Sequence, residues 1–382
     1  MHIPKKIHYF WAGSNIPEKD LRNIIEIKSK NPGFEVNIWG ENDSNSLIIN
    51  TLRKIKFKYQ GNELDIGEIP INFNYKNVES AFRFLSQQAN HLEYSILNCI
   101  SRLKERKNTI RYGSYVDLMN YLHHIYRLNT KGINHHNYAC SSDIARLVIL
   151  YMEGGIYLDV DVELSDIDIK NTQKGKISPL DNLRLQSDIG IGDCSGSGWY
   201  SDTSYNEIGN AIIASIPQSK SIFKLLLDMA TMMKIHHLGI QMYQSPKCDE
   251  FRKIKRSSKK HNKHYEFDKR VDLARKLKDT HQINMDMKCS IQDPVWRTSF
   301  SSHYSNDKID REERRIRYTT KLTGPDFIDN FLNPKQKIDF PNKYKLMSKN
   351  KNDSVFKNVN DVGDWSVVKT RNNTSSDEDP FT

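Results

Sequence analysis

The chain has no long uninterrupted run of apolar residues. None of its 382 residues lies in a window that approaches about eighteen consecutive apolar positions, the length that a membrane-spanning helix needs. Residues 1–13 contain a short apolar patch, but no long apolar core and no small-residue cleavage site. We therefore expect neither a transmembrane helix nor a signal peptide.

Cysteine is also scarce. The five cysteines are widely spaced and odd in number, and no two of them form a CxxC pair. This usage favours a reducing compartment in which the thiols are free and buried. With 37% hydrophobic residues, the chain is long enough to bury one large core, with or without an appended subdomain.

Positive charge is present, but most of it lies in one segment. The net charge is +10, and residues 246–278 hold thirteen Lys and Arg against five Asp and Glu, which is +8 in this segment alone. We expect a basic helical arm over 246–285, either as a solvated hairpin or as a docking surface for an acceptor or an acidic membrane. The arm has no nucleic-acid module pattern, so we expect no specific nucleic acid as partner.

The N-terminal region alternates strand, helix and strand. Residues 5–11 (KKIHYFW) predict a strand, Pro17 opens a helix, and residues 34–39 predict a second strand. This order starts a parallel sheet, and ligands on such sheets bind at the carboxyl ends of the strands. Trp11 lies at such an end. It is either a core aromatic residue or a platform on which a nucleotide base stacks.

The most informative segment is 138–163, YACSSDIARLVILYMEGGIYLDVDVE. Ser141 and Ser142 predict the N-cap of a helix, because a Ser side chain can accept the orphan N–H groups of a first turn. The glycine pair at 154–155 predicts the end of that helix. The alternating apolar residues from 156 to 162 predict a strand.

Two carboxylates, Asp159 and Asp161, stand at the end of that strand. Residues two apart on a strand point the same way, and adjacent carboxylates repel unless a cation or a donor array lies between them. The pattern therefore indicates a Mg²⁺ or Mn²⁺ site for a diphosphate. Asp143 and Arg146 share one helix face, either as a solvated ion pair or as groups that point back toward Asp159.

The segment SDIARLVILYMEGGIYLDVDV resembles the DXD region that binds sugar nucleotides in glycosyltransferases of the A-type fold. It resembles above all the catalytic domains of the large clostridial glucosylating toxins and related bacterial effectors, and it is also similar to yeast-type initiating mannosyltransferases. The resemblance implies an α/β fold, a GT-A-like Rossmann-type mixed sheet flanked by helices, with helical insertions. It implies a catalytic domain over 1–368 with a helical insertion at 75–132, followed by a disordered tail over 369–382.

The resemblance also implies roles for the residues around the carboxylates. Asp161 is expected to bind Mn²⁺ or Mg²⁺ directly. Asp159 is expected to bind ribose or sugar hydroxyls, and also to reach the metal through water. Asp143 and Arg146 are expected to hold sugar hydroxyls.

Further positions match the family's donor site. Trp11, in the motif IHYFWAG, and Tyr157 are expected to pack against the uridine. Asn210 matches an asparagine that contacts the donor sugar. Its small neighbours Gly209 and Ala211 leave room for an N-acetyl group, so UDP-glucose and UDP-N-acetylglucosamine both stay open as donors.

Near the end of the chain, Trp365 matches a tryptophan that contacts the β-phosphate from a closing loop. Five residues before it the toxins have an acidic metal ligand, but this chain has Asn360. Asp361 or Asp364 would take its place as the third ligand. The Thr-Gly-Pro at 323–325 follows a strand-like segment and predicts a turn.

The expected function is metal-dependent transfer of a hexose from a UDP-sugar to an acceptor, above all a host protein. The resemblance implies a secreted bacterial toxin or effector that acts in the host cytoplasm with retention of configuration. An alternative keeps the fold and builds a bacterial surface glycan or mannosyl-type polysaccharide in the bacterial cytoplasm. A third hypothesis is a non-enzymatic basic interaction protein with a decayed sugar site, which the intact aspartates and tryptophans argue against.

Overall fold

The computed structural model describes these residues: 1–12, 16–41, 49, 56–59, 62–65, 73–103, 114–131, 137–164, 178–193, 208–244, 319, 321–334, 341–348 and 356. Within these ranges, no helix combines the length and the apolar character needed to cross a membrane. The basic arm at 246–285 and the tail at 369–382 lie outside them, and both stay predictions.

Strands and helices follow one another along the described ranges in this order: β1 (Lys6–Phe10), α1 (Glu18–Lys30), β2 (Glu35–Gly40), β3 (Lys56–Tyr59), β4 (Asn62–Asp65), β5 (Phe73–Asn77), α2 (Val78–Leu103), α3 (Tyr115–Lys131), α4 (Tyr138–Glu153), β6 (Gly155–Leu158), β7 (Leu183–Arg184), β8 (Ile189–Asp193), β9 (Ile208–Ser215), α5 (Lys220–Gln244), α6 (Pro325–Leu332) and β10 (Met347–Ser348). Short 3₁₀ helices span Pro179–Asn182 and Asn342–Tyr344.

Six strands form the central sheet, in the order β5-β2-β1-β6-β9-β8. β5, β2, β1 and β6 run parallel to one another, whereas β9 is antiparallel to both of its neighbours. β3 and β4 form a separate antiparallel pair. The prediction of an α/β fold with a mixed sheet and flanking helices is confirmed.

A hydrophobic core lies on each face of this sheet. On one face Ile7 and Tyr9 of β1 pack with Leu21 and the other buried residues of α1. On the other face Phe10 packs with residues of α2, α3, α4 and α5. The alternation of β1 between these two cores follows from the two-residue period of a strand, because successive side chains point to opposite faces. Each fully buried aliphatic side chain stabilises the fold by about 1.5–3 kcal/mol.

The predicted strand–helix–strand unit at the N-terminus is confirmed as β1, α1 and β2. The backbone carbonyl of Pro17 accepts hydrogen bonds from the N–H groups of Asp20 and Leu21, which places Pro17 at the N-cap of α1. β1 and β2 pair in parallel, from Lys6 opposite Glu35 to Phe10 opposite Trp39. The carboxyl ends of both strands therefore lie at the same edge of the sheet.

The two helices expected in the insertion at 75–132 are α2 and α3. Both contribute to the same hydrophobic core as α4. The strand before them, β5, was not predicted, and the predicted start of the insertion at residue 75 falls inside this strand. β5 pairs with β2 at the edge of the main sheet, so the insertion begins from a strand of the central fold.

Helix α4 begins one turn earlier than the two serines predicted. Its N-cap is Asn137, whose side-chain oxygen accepts the N–H of Cys140 at 3.1 Å. The N-cap prediction at Ser141 and Ser142 is therefore wrong, because Asn is an equally good cap and the turn that follows it has no residue that breaks a helix. As a result Asp143 lies in the second turn of the helix and not in the first.

Strand β6 ends at Leu158, four residues before the predicted end at 162. The N–H of Asp159 still donates to the carbonyl of Ala211, but the chain then turns, and the N–H of Val162 donates to the carbonyl of Asp159 at 3.1 Å. The prediction that one strand aligns both carboxylates is wrong. Asp159 and Asp161 belong to a turn at the strand end, and tertiary contacts determine their directions.

The glycine pair between α4 and β6 ends the helix as predicted. Gly154 and Gly155 have φ angles of +63° and +93°, a region that residues with a Cβ rarely adopt. A Cβ at Gly155 would lie 2.6 Å from the carbonyl oxygen of Lys6 on the neighbouring strand β1. The pair thus allows α4 to reverse directly into the central strand.

The Thr-Gly-Pro at 323–325 forms the predicted turn. The described residues just before it, Thr319, Lys321 and Leu322, are helical, and Gly324 is the N-cap of α6. The strand-like prediction is wrong for these residues, and residues 314–318 lie outside the described ranges. The single helical turn between residues 319 and 323 places two threonine side chains on the same side of the backbone.

Candidate active site

The candidate site lies at the carboxyl edge of the parallel strands. Trp11 follows β1, and Asp159 follows β6, which pairs with β1 in parallel. Helix α4 precedes β6 and runs in the opposite direction, so the first turns of the helix lie at the same edge of the sheet as the end of β6. They carry Asp143 and Arg146, which lie three residues apart on one helix face.

Arg146 joins the two halves of the site. Its Nη2 lies 3.2 Å from Asp143 Oδ1 and 3.2 Å from Asp159 Oδ1. Nε donates to the carbonyl of Ser142 at 3.2 Å, and Nη1 donates to the carbonyl of Asn210. The side chain is only 5% exposed. Burial opposes its charge, but Asp159 and the neighbouring groups outweigh burial and raise the pKa of Arg146.

Asp143 is a buried carboxylate whose hydrogen bonds are all internal. Its Oδ1 accepts from the Asn210 amide nitrogen at 2.6 Å, and its Oδ2 accepts from the Thr323 hydroxyl at 2.9 Å. The side chain is 4% exposed. Burial raises the pKa of Asp143, whereas Arg146 and the two hydrogen bonds lower it. Asn210 thus lies beside Asp143, and its predicted contact with the donor sugar stays a prediction.

Asp159 is the more accessible of the two carboxylates that Arg146 binds, with 28% of its side chain exposed. Its Oδ1 accepts from the hydroxyl of Tyr157 at 3.0 Å. Burial raises the pKa of Asp159 to about 6 even though Arg146 opposes this, and Asp161 and Asp143 add to the rise. Burial is thus the main cause of the raised pKa, and the negative charges of Asp161 and Asp143 strengthen it.

Asp161 is exposed in the turn that follows β6. Helix α1 holds this turn from the other side, because the Asn23 amide donates to the carbonyl of Val160 at 2.9 Å and to that of Val162 at 2.5 Å. Burial raises the pKa of Asp20 on the same helix, and Asp161 raises it further. The sequence analysis did not identify Asn23, because nothing in the local sequence links α1 to this turn.

Tyr157 contributes to the site through its hydroxyl. The ring is fully buried, and the Arg146 guanidinium carbon lies 4.9 Å from its centroid. The hydroxyl contacts Ser142 Oγ at 3.0 Å and donates to Asp159. Burial raises the pKa of Tyr157, so the hydroxyl keeps its proton and remains a donor. With no ring surface exposed, Tyr157 meets uridine only if its surroundings move, and that predicted contact stays a prediction.

Trp11 is half-buried at the end of β1. Its backbone N–H donates to the carbonyl of Trp39 at 2.9 Å, so β2 fixes the position of its backbone. Its Nε1 is buried and has no hydrogen-bond partner within the described ranges. Part of the residue remains exposed at the same edge of the sheet as Asp159, and the predicted base platform stays a prediction.

The structure therefore brings together Asp143, Arg146, Asp159 and Asn210, with Asp161 in the adjacent turn. Trp365, Asp361 and Asp364 lie outside the described residues, and their roles stay predictions. Among the described residues, no group of three or more His, Cys, Asp and Glu side chains could hold a metal ion. Thr323 and Ser142 are site residues that the sequence analysis did not identify as such.

Comparison with known proteins agrees with this geometry. Residues 17–173 match the family model described as "Glycosyltransferase sugar-binding region containing DXD motif". Asp159, Val160 and Asp161, the predicted DXD motif, lie in this range. This part of the chain is similar to the DXD sugar-binding region of glycosyltransferases. The predicted resemblance to DXD glycosyltransferases is confirmed, and the match also includes α1, which holds the turn after β6.

Curated proteins similar to this chain include two bacterial toxins and a protein of Legionella pneumophila. Cytotoxin-L of Paraclostridium sordellii is 26% identical over 42% of this chain, and the match covers 8% of the toxin. Toxin B of Clostridioides difficile is 25% identical with the same coverage. "Subversion of eukaryotic traffic protein A" of Legionella pneumophila is 28% identical over 42% of this chain and 17% of that protein. The chain thus spans a small part of the relatives it matches.

Solved structures of toxin glycosyltransferase domains are similar to this chain at low identity. The ligand-free domain of the YGT toxin has a TM-score of 0.44 at 14% identity, covering 87% of this chain and 78% of that domain. The catalytic domain of alpha-toxin from Clostridium novyi has a TM-score of 0.43 at 14% identity, covering 94% of this chain and 78% of that domain.

Proposed function

We propose that the protein is a metal-dependent glycosyltransferase that moves a hexose from a UDP-sugar to an acceptor. One observation carries the proposal. In a DXD sugar-binding region, Arg146 joins Asp143 and Asp159 at the sheet edge, next to the exposed Asp161. Such a group can hold hydroxyls and a cation side by side, which is what a sugar diphosphate requires.

The donor atoms of the site fit Mn²⁺ or Mg²⁺. Carboxylate oxygens are suitable ligands for these hard cations, and Mg²⁺ sites in proteins commonly use one or two carboxylates with water and substrate phosphates. Asp161 would be the direct ligand, and Asp159 would reach the ion through water, because Arg146 already binds both of its oxygens. When bound, the ion neutralises negative charge on the departing diphosphate. Asp361 or Asp364 would supply a third ligand.

The residues of the chain would hold the donor at three points. The exposed part of the Trp11 ring would stack on the uracil base at the end of β1. Arg146, Asp143 and Asn210 would form the sugar end of the site. Trp365 would donate its indole N–H to a phosphate when the last loop closes and excludes water.

Two donors fit the space beside Asn210. Gly209 and Ala211 flank it on β9 and have no bulky side chain. This would admit the N-acetyl group of UDP-N-acetylglucosamine as well as UDP-glucose. Transfer would retain the anomeric configuration, as the resemblance to the toxins implies.

The acceptor would be a host protein. The named relatives are toxins and a protein described by subversion of eukaryotic traffic, which supports a secreted bacterial effector that acts in the host cytoplasm. The catalytic domain would span 1–368. The basic arm at 246–285 would bind the acceptor or an acidic membrane through its clustered positive charge.

The test is transfer of a labelled sugar. The protein is incubated with radiolabelled UDP-glucose or UDP-N-acetylglucosamine and host lysate, with Mn²⁺, Mg²⁺ or a chelator. We expect labelled protein bands with one donor, loss of label with the chelator, and a decrease on the order of 100-fold for Asp161→Asn.

Asp181→Asn is the matched control. Asp181 forms a partly exposed ion pair with Lys5 at 2.8 Å, away from the DXD turn, and its substitution should leave labelling unchanged. Equal labelling by Asp161→Asn and the wild type would contradict the proposal. Label that appears in a bacterial glycan fraction instead of host protein would favour the surface-glycan alternative.

A further inference from the structure

Two threonines at the C-terminal side of the chain bind the first turns of helix α4. Thr319 Oγ1 accepts from the Asn137 amide at 3.0 Å, and Thr323 Oγ1 donates to Asp143 Oδ2 at 2.9 Å. All four residues are buried. The threonines lie one helical turn apart, so the same short segment binds the cap of α4 and a carboxylate of the site. The Thr319 hydroxyl also donates to the Asn137 side-chain oxygen at 3.3 Å.

The hydrogen bond from Thr323 fixes which groups each oxygen of the Asp143 carboxylate contacts. Oδ2 faces Thr323, and Oδ1 faces both the Asn210 amide nitrogen and the Arg146 guanidinium. A carboxylate whose two oxygens accept from three donors cannot rotate without losing a hydrogen bond, and burial makes each loss costly. Asp143 is 4% exposed, so it acts mainly on its neighbours.

The orientation of the Asn210 amide follows from this arrangement. Its nitrogen donates to Asp143 at 2.6 Å, and its backbone carbonyl accepts from Arg146. The amide therefore presents its oxygen, Oδ1, on the side away from Asp143. An amide oxygen accepts a hydrogen bond from a hydroxyl group, which is the group that a sugar offers.

We propose that Thr323 is a positioning residue for the sugar end of the donor site, because it holds Asp143 so that Asn210 presents Oδ1 to a sugar hydroxyl. The inference rests on the proposed function and deepens it, since it assigns a role to a residue 180 positions from Asp143 in the sequence. Its consequence is specific. Loss of the Thr323 hydroxyl should weaken binding of the sugar and leave binding of the nucleotide unchanged.

Calorimetric titration of the full chain with UDP and with the UDP-sugar, both in the presence of Mn²⁺, separates the two effects. For Thr323→Val, which keeps the shape and removes the hydroxyl, we expect the Kd of the UDP-sugar to rise about tenfold and the Kd of UDP to stay within about twofold. Thr323→Ser keeps the hydroxyl and should restore wild-type binding of both.

Thr319→Val is the matched control. It removes the other buried threonine hydroxyl and its bond to Asn137, so it should lower the thermal midpoint by a similar amount. Because the Thr319 hydroxyl bonds Asn137 whereas the Asp143 carboxylate accepts from Thr323, the Kd values of UDP and of the UDP-sugar should both stay at the wild-type level. A loss of sugar binding in this variant would assign the effect to general destabilisation and overturn the inference.

The outcomes separate the inference from the proposed function. If the wild type binds the UDP-sugar and Thr323→Val binds it equally well, the inference is wrong and the proposed function stands. If the wild type binds neither UDP nor any UDP-sugar, the proposed function itself fails. Thr323→Ala removes the hydroxyl with less steric demand and replaces the Val variant if that one does not fold. Misfolding of both, while Thr319→Val folds, would assign Thr323 to stability alone and overturn the inference.

Discussion

Arg146 is the cation that two carboxylates of the site share. Its guanidinium lies between Asp143 and Asp159 and also covers the ring of Tyr157. This arrangement needs a planar group that can donate in several fixed directions and stack on an aromatic ring, which a Lys ammonium cannot do. One side chain thus contacts both carboxylates and links them. Asp161, in the turn after β6, remains exposed.

Asn23 is the residue on which the direction of Asp161 depends. In Asn23→Ala the carbonyls of Val160 and Val162 lose their donor, so the turn that carries Asp161 is held less firmly. We expect the free energy of unfolding to fall by about 1–2 kcal/mol and the Mn²⁺ concentration for half-maximal transfer to rise several-fold. Urea unfolding and a Mn²⁺ titration of activity measure the two effects.

Asn31→Ala is the control for that variant. Asn31 is buried at the other end of α1, where its amide donates to the carbonyl of Ile27 at 2.8 Å and accepts the N–H of Leu180. Asn31→Ala should lower the free energy of unfolding by a similar amount and leave the Mn²⁺ concentration for half-maximal transfer unchanged. If both variants need the same Mn²⁺ concentration as the wild type, Asn23 has no role in presenting Asp161.

At the scale of elements, the start of α4 and the end of β6 both depend on contacts with residues outside the element. Helix α4 starts at Asn137, which also binds Thr319, and β6 ends where its pairing with β9 ends. The glycine pair between them was predictable because positive φ angles are a local property. The N-cap of α4 and the end of β6 were not predictable from local sequence, because several neighbouring residues satisfy the same local rules.

The N-terminus of helix α5 is capped by a residue from another part of the chain. Asp188, just before β8, accepts from the Ser219 hydroxyl at 2.8 Å, from the Ser221 N–H at 2.8 Å and from the Ser221 hydroxyl at 2.6 Å. Burial opposes the charge, but these hydrogen bonds outweigh it and lower the pKa of Asp188. A charged cap is stabilising at a helix N-terminus because the dipole favours an anion there.

Asp188→Asn should therefore lower the free energy of unfolding by about 1 kcal/mol at pH 7. Because the pKa of Asp188 is lower in the folded state, its contribution is present above the unfolded pKa of about 4 and is lost as pH falls through the folded value. Urea unfolding from pH 7 to pH 3 should show the gap between variant and wild type closing. A gap that stays constant down to pH 3 would mean that the charge of Asp188 is not involved.

At the scale of the whole molecule, His8 ties three parts of the fold together. It lies on β1 with no exposed surface, its Nε2 bonds the carbonyl of Gly154 at 2.8 Å, and its Nδ1 accepts from Trp39 Nε1 of β2 at 3.0 Å. The imidazole is therefore neutral, with its proton on Nε2. Burial lowers the pKa of His8 to about 4, against the opposing effects of Glu153 and the Gly154 bond.

The stability of the fold should consequently depend on pH through His8. Its folded pKa lies below the unfolded value of about 6.5, so the unfolded chain takes up the proton first as pH falls. Stability is constant above pH 6.5 and decreases between pH 6.5 and 4. We expect a loss of about 2 kcal/mol between pH 7 and pH 5. The charged groups that face His8 are Glu153, Lys6 and Lys76.

Urea unfolding at pH 7, 6 and 5 measures this dependence. His8→Gln keeps one donor and one acceptor near the same places but does not titrate in this range. It should be less stable at pH 7 and show a much flatter pH profile. A variant profile parallel to that of the wild type would contradict the assignment to His8.

Local sequence was sufficient for the strand–helix–strand unit and the glycine pair, whereas the mixed sheet was expected from the resemblance to a family, and the roles of Asp143, Arg146, Asp159 and Asp161 stay predictions. Apolar periodicity and glycine angles act within a few residues, so they can be recognised in any chain. β5 was missed because an edge strand pairs on one side only, and its sequence FNYKN has no long apolar run.

The tertiary structure alone decided how these residues work together. Asn23 holds a carbonyl 137 positions away, and Thr323 holds Asp143 from 180 positions away. Which donor meets which acceptor over such separations depends on the packing of whole elements, and the local sequence contains no trace of it. The turn that presents Asp161 and the carboxylate that orients Asn210 therefore exist only once the sheet, α1, α4 and the segment before α6 have come together.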